Sequence, residues 1–277
     1  MSPLNYMGGK HVIRRWILEH LPGLDQAERY VEPFCGAANV FFELHARDRA
    51  TRRRRGYCIN DADGDIVNFF RVLRTRPRAL RRRLQATPYA QAEHAAARQA
   101  DPGDDAVERA RKLFIDIRCG MGGRRRSGWG VKKRKNGGDP PSTFRNSVEG
   151  LGRFLDALRD AYIGGEDACA CIRRWQTPTT LIYCDPPYAG TAQYLMKFTD
   201  SDHVRLAEAL HASSAAIGLS GYETPMLREL YPAPEWTWNR REVVVVIGAH
   251  RGSAGRAVEC LITRPAVLHP QDLDKSL

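Results

Sequence analysis

The sequence has no long apolar run. Its longest apolar stretches, such as "VVVVIGA", fall far short of the roughly 18 consecutive apolar residues that a transmembrane helix needs. The first residues, "MSPLNYMGGK", also lack an apolar signal segment. We therefore expect an intracellular protein with no membrane partner.

Cysteine is sparse and irregularly spaced. The chain contains 7 cysteines, and an odd number scattered along the sequence predicts reduced, mostly buried thiols rather than a disulfide framework. Cys169 and Cys171 lie close together but have no matching pair of histidines or cysteines nearby. Because structural zinc usually needs four spaced ligands, we predict no metal site.

Two nucleotide-binding signatures are also missing. The segment "VEPFCGAANVFF" is not a G-x-G-x-x-G fingerprint, and it is not a phosphate-binding loop because no G-K-[ST] follows. It does place Gly36 between a predicted strand and a predicted helix. A glycine there lets a ligand approach the backbone, and the helix N-terminus favours an anionic group such as a carboxylate. A purely structural turn explains the same pattern.

Positive charge is what the sequence has in excess. The formal net charge is +11 and the isoelectric point about 9.5, which indicates an anionic partner such as nucleic acid. A basic, solvated surface without such a partner is the alternative. At 277 residues the chain is long enough to bury a substantial core.

Strands and helices alternate along most of the chain. Apolar segments that end at Val31, Ile59 and Cys184 are typical of strands, and a turn follows each. This pattern predicts a mostly parallel, doubly wound α/β sheet, with "REVVVVIGA" and "AVECLIT" as a terminal antiparallel hairpin. Ligands of such sheets bind outside the carboxyl ends of the strands, where the three turns are expected to lie.

The alternation breaks in the middle of the sequence. Residues 74–177 contain helical patterns and the Gly- and Arg-rich stretch "GMGGRRRSGWGVKKRKNGGDPPS", which has no apolar periodicity. A segment this long inside an α/β fold is best explained as an inserted lobe with a mobile basic loop. We therefore predict a catalytic domain from residues 1–73 and 178–277, interrupted by this lobe.

Two further segments carry candidate ligand contacts. Asp61 is the first acid after the second strand, ahead of Asp63 and Asp65, and an acid there accepts hydrogen bonds from the ribose hydroxyls of an adenosyl group. Its structural alternative is a helix cap. In "YMGGK", two glycines hold Lys10 near Tyr6, which suits a contact with a ligand carboxylate.

The segment "LIYCDPPY" is the sharpest chemical signal. An exocyclic amine on an aromatic ring is a poor nucleophile, because its lone pair is delocalised into the ring. The carboxylate of Asp185 and the carbonyl of Pro186 could accept both amine hydrogens and direct the lone pair at a sulfonium methyl group. Pro186 and Pro187 restrict the backbone that holds these acceptors. Tyr188 offers a flat face to a base taken out of its stack.

These motifs occur in a recognisable order. YxGGK, VEPFxG, an acid after the next strand, a basic insertion and a strand ending in DPPY together resemble the Dam-like DNA N6-adenine methyltransferases. The sequence looks most similar to the phage- and prophage-borne relatives. "RCGMGG…GWGVKK", "FTDSDHVRLAEAL" and "IGLSGYETPMLRELY" extend the resemblance over nearly the whole chain.

The resemblance implies a Rossmann-like S-adenosylmethionine-dependent methyltransferase sheet with an inserted helical and basic target-recognition lobe. It implies S-adenosyl-L-methionine as methyl donor and adenine flipped out of double-stranded DNA as substrate. Carried over by motif, the cofactor contacts are Tyr6, Lys10, Asp61 and Asp185, with Glu32, Phe34 and Gly36 lining the site. The catalytic set is Asp185, Pro186, Pro187 and Tyr188.

The basic loop is the predicted DNA contact. Its charged residues suit phosphate contacts, and Trp129 could stack on a base or wedge between two. A solvated loop in the free protein is compatible with this role, since the loop could become ordered on DNA. The predicted DNA-binding residues are Arg124, Arg125, Arg126, Trp129, Lys132, Lys133, Arg134 and Lys135.

The chain departs from the family pattern at two places. Ala38 stands where the family usually has a second glycine, which puts cofactor affinity in question. The stretch "GRRRSGWGVKKRK" differs from the Dam pattern that reads GATC, so the resemblance does not carry the target sequence over.

Three alternatives remain open at this point. They are an adenine in structured RNA, the N4 amine of cytosine, and a DNA-binding relative that has lost catalysis. Cytosine enzymes more often carry serine where Asp185 stands. We expect a cytoplasmic, nucleoid-associated protein of a bacterium or phage-infected cell. Because methylating one strand needs no two-fold symmetry, we expect a monomer without an obligate protein partner; a restriction partner is not visible in the sequence.

Overall fold

The structure is a computed structural model that describes residues 2–4, 10–99, 101–123, 125–130, 139–188, 198–246 and 254–267. Several residues of the predicted site lie outside these ranges, namely Tyr6, Arg124, Lys132, Lys133, Arg134 and Lys135. Within the described ranges, no helix is both long and apolar enough to span a membrane.

Helices and strands alternate along the chain. The helices are α1 (Arg14–His20), α2 (Asn39–Ala50), α3 (Gly64–Thr75), α4 (Pro77–Gln85), α5 (Gln91–Ala97), α6 (Ala106–Cys119), α7 (Pro140–Glu149), α8 (Leu155–Arg159), α9 (Ala168–Trp175), α10 (Asp200–His211) and α11 (Pro225–Leu230). The strands are β1 (Arg29–Glu32), β2 (Gly56–Asn60), β3 (Ala161–Gly164), β4 (Thr180–Cys184), β5 (Ala216–Tyr222), β6 (Thr237–Val246) and β7 (Ala254–Arg264).

The strands form one sheet in the order β3-β2-β1-β4-β5-β7-β6. β1 pairs with β4, and β4 with β5, in parallel, whereas β7 runs antiparallel to both β5 and β6. Strand order reverses between β1 and β4, as it does in a Rossmann sheet, and ligands of such sheets bind beside that reversal. The predicted Rossmann-like α/β fold and its terminal hairpin are confirmed.

Local sequence explains where two of the helices begin. The Asp63 side chain accepts a hydrogen bond from the backbone N–H of Asp65 and so caps α3, whose predicted apolar face is buried. Thr199 and Asp202 form a reciprocal capping box at the start of α10. That cap fixes the entry of the chain into α10, a helix that contributes to the site described below.

The chain divides into two compact units, which differ in extent from the predicted domains. The first comprises Met1–Arg14, Cys35–Arg53 and Ile59–Glu166, and the second comprises Arg15–Phe34, Arg54–Cys58 and Asp167–Leu277. Residues 161–164, inside the predicted lobe, form a strand of the sheet. That strand is too short to show a period-two pattern in the sequence. A DNA-recognising role for residues 74–177 stays a prediction.

Each unit has its own apolar core. In the first unit, Phe69 of α3 stacks on Phe114 of α6 with ring centroids 6.1 Å apart. In the second, Ile182 and Cys184 of β4 pack with β5, α9 and α10, and Cys169 and Cys171 belong to this core. Burial of one such apolar side chain stabilises the fold by about 1.5–3 kcal/mol. All 7 cysteines are buried, and none of them forms a disulfide bond.

Candidate active site

Asp61 joins two loops of the first unit. One carboxylate oxygen of Asp61, Oδ2, accepts a hydrogen bond from the backbone N–H of Gly36 at 2.8 Å, and Oδ1 accepts one from the N–H of Asp63 at 2.9 Å. Gly36 has a φ of +47°, and a Cβ built there would meet no described atom within 4 Å. The loop therefore leaves open space beside its backbone, as a bound ligand would require.

The environment of Asp61 changes its acidity. Burial raises the pKa of this carboxyl group from 3.8 to about 6, against the opposing effect of the two backbone N–H donors. Near neutral pH the group is therefore ionised and acts only as a hydrogen-bond acceptor. Each carboxylate oxygen can accept more than one hydrogen bond, so capacity remains for two ligand hydroxyls.

Ala38 occupies a backbone conformation that favours glycine. Its φ is 53° and its ψ 37°, in the left-handed region, and the residue is completely buried at the start of α2. An L-residue with a Cβ costs on the order of 1–2 kcal/mol there. This strain gives a physical reason for the second glycine that the family pattern has at this position.

Lys10 is buried in the first unit. Only 8% of its surface is exposed, and its backbone carbonyl accepts a hydrogen bond from the N–H of Ile13 at 3.1 Å. Its positive charge suits a contact with a ligand carboxylate, which stays a prediction. Its predicted companion Tyr6 lies outside the described residues.

The DPPY segment follows β4 directly in the second unit. Asp185 and Pro187 are partly exposed, whereas Pro186 and Tyr188 are buried. The hydroxyl group of Tyr188 donates a hydrogen bond to the carboxylate of Glu259 on β7. The ring of Tyr188 meets that of Tyr222 edge to face, with centroids 4.6 Å apart. Burial raises the pKa of Tyr188 well above its usual value, so the hydroxyl group keeps its proton.

Glu32 and Phe34 follow β1 in the same unit. Glu32 is buried, and its Oε1 accepts a hydrogen bond of 2.7 Å from the hydroxyl of Tyr30. Phe34 contacts Phe198 edge to face, with centroids 5.7 Å apart. Burial raises the pKa of Tyr30 well above its usual value, so Tyr30 remains a donor. Both predicted residues are thus held in place, while their contact with a cofactor stays a prediction.

The described part of the basic loop is less exposed than the sequence suggests. Arg125 forms ion pairs with both Asp63 and Asp65, and 9% of its side chain is exposed. Trp129 packs against Tyr89 with ring centroids 4.8 Å apart. Of the three predicted DNA contacts that the structure describes, Arg126 alone is exposed. In this conformation Arg125 and Trp129 serve the packing of the first unit.

Comparison with known proteins adds a family to this geometry. Residues 6–100 match the family model of D12 class N6 adenine-specific DNA methyltransferases. The DNA adenine methylase of Vibrio cholerae is 27% identical over 249 residues, which cover 82% of this chain and 83% of that protein. The DNA adenine methylase of Escherichia coli K12 is 25% identical over 284 residues, covering 96% of each. These matches confirm the predicted resemblance to the Dam-like DNA N6-adenine methyltransferases.

Among solved structures, this chain is similar to a class I S-adenosylmethionine-dependent methyltransferase from Listeria monocytogenes. That match has a TM-score of 0.43 and 8% sequence identity, and it covers 96% of this chain and 62% of that chain.

Two residues of the candidate site were not predicted from the sequence. Glu259 is a single acid inside the apolar strand "AVECLIT". Such a lone acid is visible in the sequence and could have identified Glu259 as a candidate site residue. His203 lies on α10 and is buried. In the sequence, His203 cannot be distinguished from the other polar residues of an amphipathic helix, so no sequence signal identified it.

His203 lies next to the DPPY segment, and its ring meets that of Phe198 edge to face with centroids 4.7 Å apart. Burial lowers the pKa of His203, which favours the neutral ring. His203 also lines a cleft with Pro186, Tyr188, Ser220 and Tyr222.

Proposed function

We propose that this chain methylates the N6 amine of adenine in DNA, and that the DPPY segment performs the chemistry. The observation that carries the proposal is the fixed position of that segment at the carboxyl end of β4. Glu259 accepts a hydrogen bond from the hydroxyl of Tyr188, and His203 lines the same cleft as Pro186 and Tyr188. The family match supports the base and the polymer.

S-adenosylmethionine, when bound, supplies an electrophilic methyl group carried on a positively charged sulfur atom. Two groups of the chain prepare the amine to receive it. The carboxylate of Asp185 and the backbone carbonyl of Pro186 each accept one amine hydrogen, which withdraws the nitrogen lone pair from conjugation with the ring. Two prolines restrict the backbone here, so the acceptors need little reorganisation when the amine arrives.

Tyr188 orients the base. An adenine inside a duplex cannot reach a buried acceptor pair, so an enzyme of this kind must take the base out of its stack. An aromatic ring then replaces part of the lost stacking. Because Glu259 and Tyr222 fix the ring of Tyr188, that ring is oriented before the base binds.

The residues of the first unit fit an adenosyl ligand. Asp61 carries an ionised carboxylate with acceptor capacity for ribose hydroxyls, and the open space beside Gly36 admits a ligand close to the backbone. Lys10 suits the carboxylate of the methionine moiety. In the second unit, Glu32 and Phe34 are the further candidates.

Duplex DNA is the proposed partner of the basic lobe. The net charge of +11 favours association with a polyanion. Arg126 is exposed in the described part of the loop and is suited to a phosphate contact. On this proposal the protein acts as a monomer on the DNA of a bacterial or phage-infected cell.

One experiment tests substrate, base and target together. DNA from a methylation-deficient host that expresses the chain is sequenced with detection of modified bases, and N6-methyladenine at a recurring sequence is expected. Asp185→Ala should abolish the modification, whereas Glu208→Ala, on the exposed side of α10, should not. If N4-methylcytosine is found at those sites instead, the substrate is cytosine and not adenine.

A parallel assay separates the remaining alternatives. Purified protein is incubated with labelled S-adenosylmethionine and either duplex DNA or structured RNA. Label in RNA alone would overturn the proposal, as would full methyl transfer by Asp185→Ala. DNA binding with no cofactor binding by calorimetry would identify a catalytically silent relative.

A further inference from the structure

Arg125 pairs with the acidic turn that carries Asp61. Its Nη2 lies 2.7 Å from a carboxylate oxygen of Asp65, and its Nη1 forms an ion pair with Asp63. Asp61, Asp63 and Asp65 place three carboxylates within five residues. A guanidinium group that contacts two of them offsets their mutual repulsion.

The turn connects this ion pair to Asp61 through one residue. The backbone N–H of Asp63 donates to Asp61 Oδ1 at 2.9 Å, while the Asp63 side chain meets Arg125. Asp63 therefore lies between the guanidinium group and the candidate ribose acceptor. A displacement of Asp63 would remove one of the two backbone donors that fix the Asp61 carboxylate.

The chain next to Arg125 is itself anchored. The backbone N–H of Arg126 donates to both carboxylate oxygens of Asp116 on α6, at 3.0 and 2.9 Å. Asp116 is buried, so this anchor belongs to the packed interior of the first unit. Arg125 and Arg126 are neighbours with opposite surroundings, since the Arg126 side chain is exposed.

We propose that Arg125 is a positioning residue of the cofactor site and not a phosphate contact. It holds Asp63, and through Asp63 it keeps the Asp61 carboxylate in place for the ribose hydroxyls. This inference rests on the proposed function, because it assumes an adenosyl cofactor at Asp61. It gives the two adjacent arginines of "GRRRSGWG" different roles: Arg125 positions the cofactor site, and Arg126 is left to contact a phosphate.

The pH dependence of cofactor binding provides a second measurement of the role of Arg125. Two charged groups act on Asp61: Asp63 raises its pKa, and Arg125 lowers it. Asp65 is the other acid that Arg125 contacts. Without the guanidinium group the pKa of Asp61 should rise further, so cofactor binding should begin to weaken at a higher pH than in the wild type. A purely structural role for Arg125 would not move that profile.

The test compares Arg125→Gln with Arg126→Gln. Isothermal titration calorimetry with S-adenosyl-L-homocysteine measures cofactor-site affinity, and the affinity for duplex DNA is measured over a range of salt concentrations. For Arg125→Gln we expect roughly 5-fold or greater loss of S-adenosyl-L-homocysteine affinity, with the wild-type salt slope for DNA. For Arg126→Gln we expect unchanged affinity for this ligand and a salt slope reduced by about 1.

The reverse pattern would overturn the proposal. If Arg125→Gln keeps wild-type affinity for S-adenosyl-L-homocysteine and reduces the salt slope, Arg125 contacts a phosphate. Asp63→Asn and Asp65→Asn provide a second route if Arg125→Gln does not fold, because each removes a charge that Arg125 contacts and Asp63→Asn keeps the helix cap of α3. Either Asn variant should also weaken cofactor binding, and wild-type affinity in both would count against the proposal.

The proposed function can fail separately from this inference. If the wild type binds no S-adenosyl-L-homocysteine, the adenosyl site itself is absent and both proposals fall. If it binds that ligand and methylates DNA while Arg125→Gln binds normally, the positioning role alone is wrong. Arg125→Lys should restore part of the affinity, because one ammonium group can reach only one of the two carboxylates at a time.

Discussion

The hydroxyl of Tyr188 donates a hydrogen bond to the buried carboxylate of Glu259. Tyr188 belongs to the DPPY segment after β4, and Glu259 lies on β7, opposite Tyr222 of β5 in the antiparallel pairing. The last strand along the chain, β7, thus fixes the ring that would face the substrate base. Because Glu259 accepts this bond, the terminal hairpin contributes to the candidate site.

Removing one partner of this bond should destabilise the protein. Tyr188→Phe keeps the ring but leaves the buried Glu259 without this donor, and we expect the free energy of unfolding to fall by about 1–3 kcal/mol. Glu259→Met should have a comparable effect. Combining the two removes both polar groups, so the double variant should lose less than the sum of the single losses. Chemical denaturation measures all three; strict additivity would show that the two groups do not interact.

The ring itself should matter more for methylation than its hydroxyl group. We expect Tyr188→Phe to retain measurable methyl transfer to DNA and Tyr188→Ala to lose at least about 10-fold in kcat/KM, since stacking on one base contributes about 1–3 kcal/mol. Steady-state kinetics with duplex DNA checks this. Equal activity of the two variants would remove Tyr188 from the base-binding site.

His203 should make stability depend on pH. Burial lowers the pKa of His203 below the 6.5 of an exposed histidine, so in the acidic range the unfolded chain binds its proton more readily than the folded chain does. This contribution to stability is present above about pH 6.5 and is lost as the pH falls below that value. His203→Gln, which keeps a side-chain N–H, should show a smaller loss between neutral and mildly acidic pH. Thermal unfolding over that range measures the difference; parallel curves for variant and wild type would contradict it.

Asp61 should make cofactor binding depend on pH. Burial raises its pKa from 3.8 to about 6, so acidification below that value protonates the carboxylate that would accept the ribose hydroxyls. We expect the affinity for S-adenosyl-L-homocysteine to fall by up to about 10-fold for each pH unit below the pKa. Asp61→Asn should bind more weakly and lose this dependence. Calorimetry over the pH range below the pKa measures this affinity. A pH profile of Asp61→Asn that is the same as that of the wild type would exclude Asp61 as the titrating group.

The same shift has the opposite consequence for folding. A raised pKa means that the folded chain holds this proton more tightly than the unfolded chain. The cost of burying an ionised Asp61 is therefore present above about pH 6 and is relieved as the pH falls towards 3.8. This contribution to stability runs against that of His203.

Ala38 should tolerate glycine but not a branched side chain. Ala38→Gly relieves the left-handed strain, while it loses a buried methyl group worth about 0.8 kcal/mol and gains backbone freedom in the unfolded chain. We expect a net change in unfolding free energy below about 1 kcal/mol. Ala38→Val adds a β-branched side chain at a φ of 53°, and should destabilise by more than about 1–2 kcal/mol. Denaturant unfolding compares the pair, and equal stability of the two would show that φ does not limit this position.

The α/β alternation was predictable from the sequence because the residues buried in each strand or helix form a local apolar pattern along the chain. β4 is a continuous apolar run with all five residues buried, and such a run needs no knowledge of its neighbours to be recognised. The apolar face of α3 has helical spacing for the same reason. The order of motifs around DPPY also lies in the chain itself, so the family could be recognised from it.

Only the tertiary structure decided which charged residues act together. In the sequence, Arg125 stands 62 positions from Asp63, inside a run of arginines in which every member looks equally free for DNA. Glu259 stands 71 positions from Tyr188, and the sequence gives no sign that they meet. Ion pairs and buried hydrogen bonds join residues that are distant along the chain, and no periodic pattern encodes them. The sequence therefore determined the kind of chemistry, while the packing of loops and strands determined which side chains hold it in place.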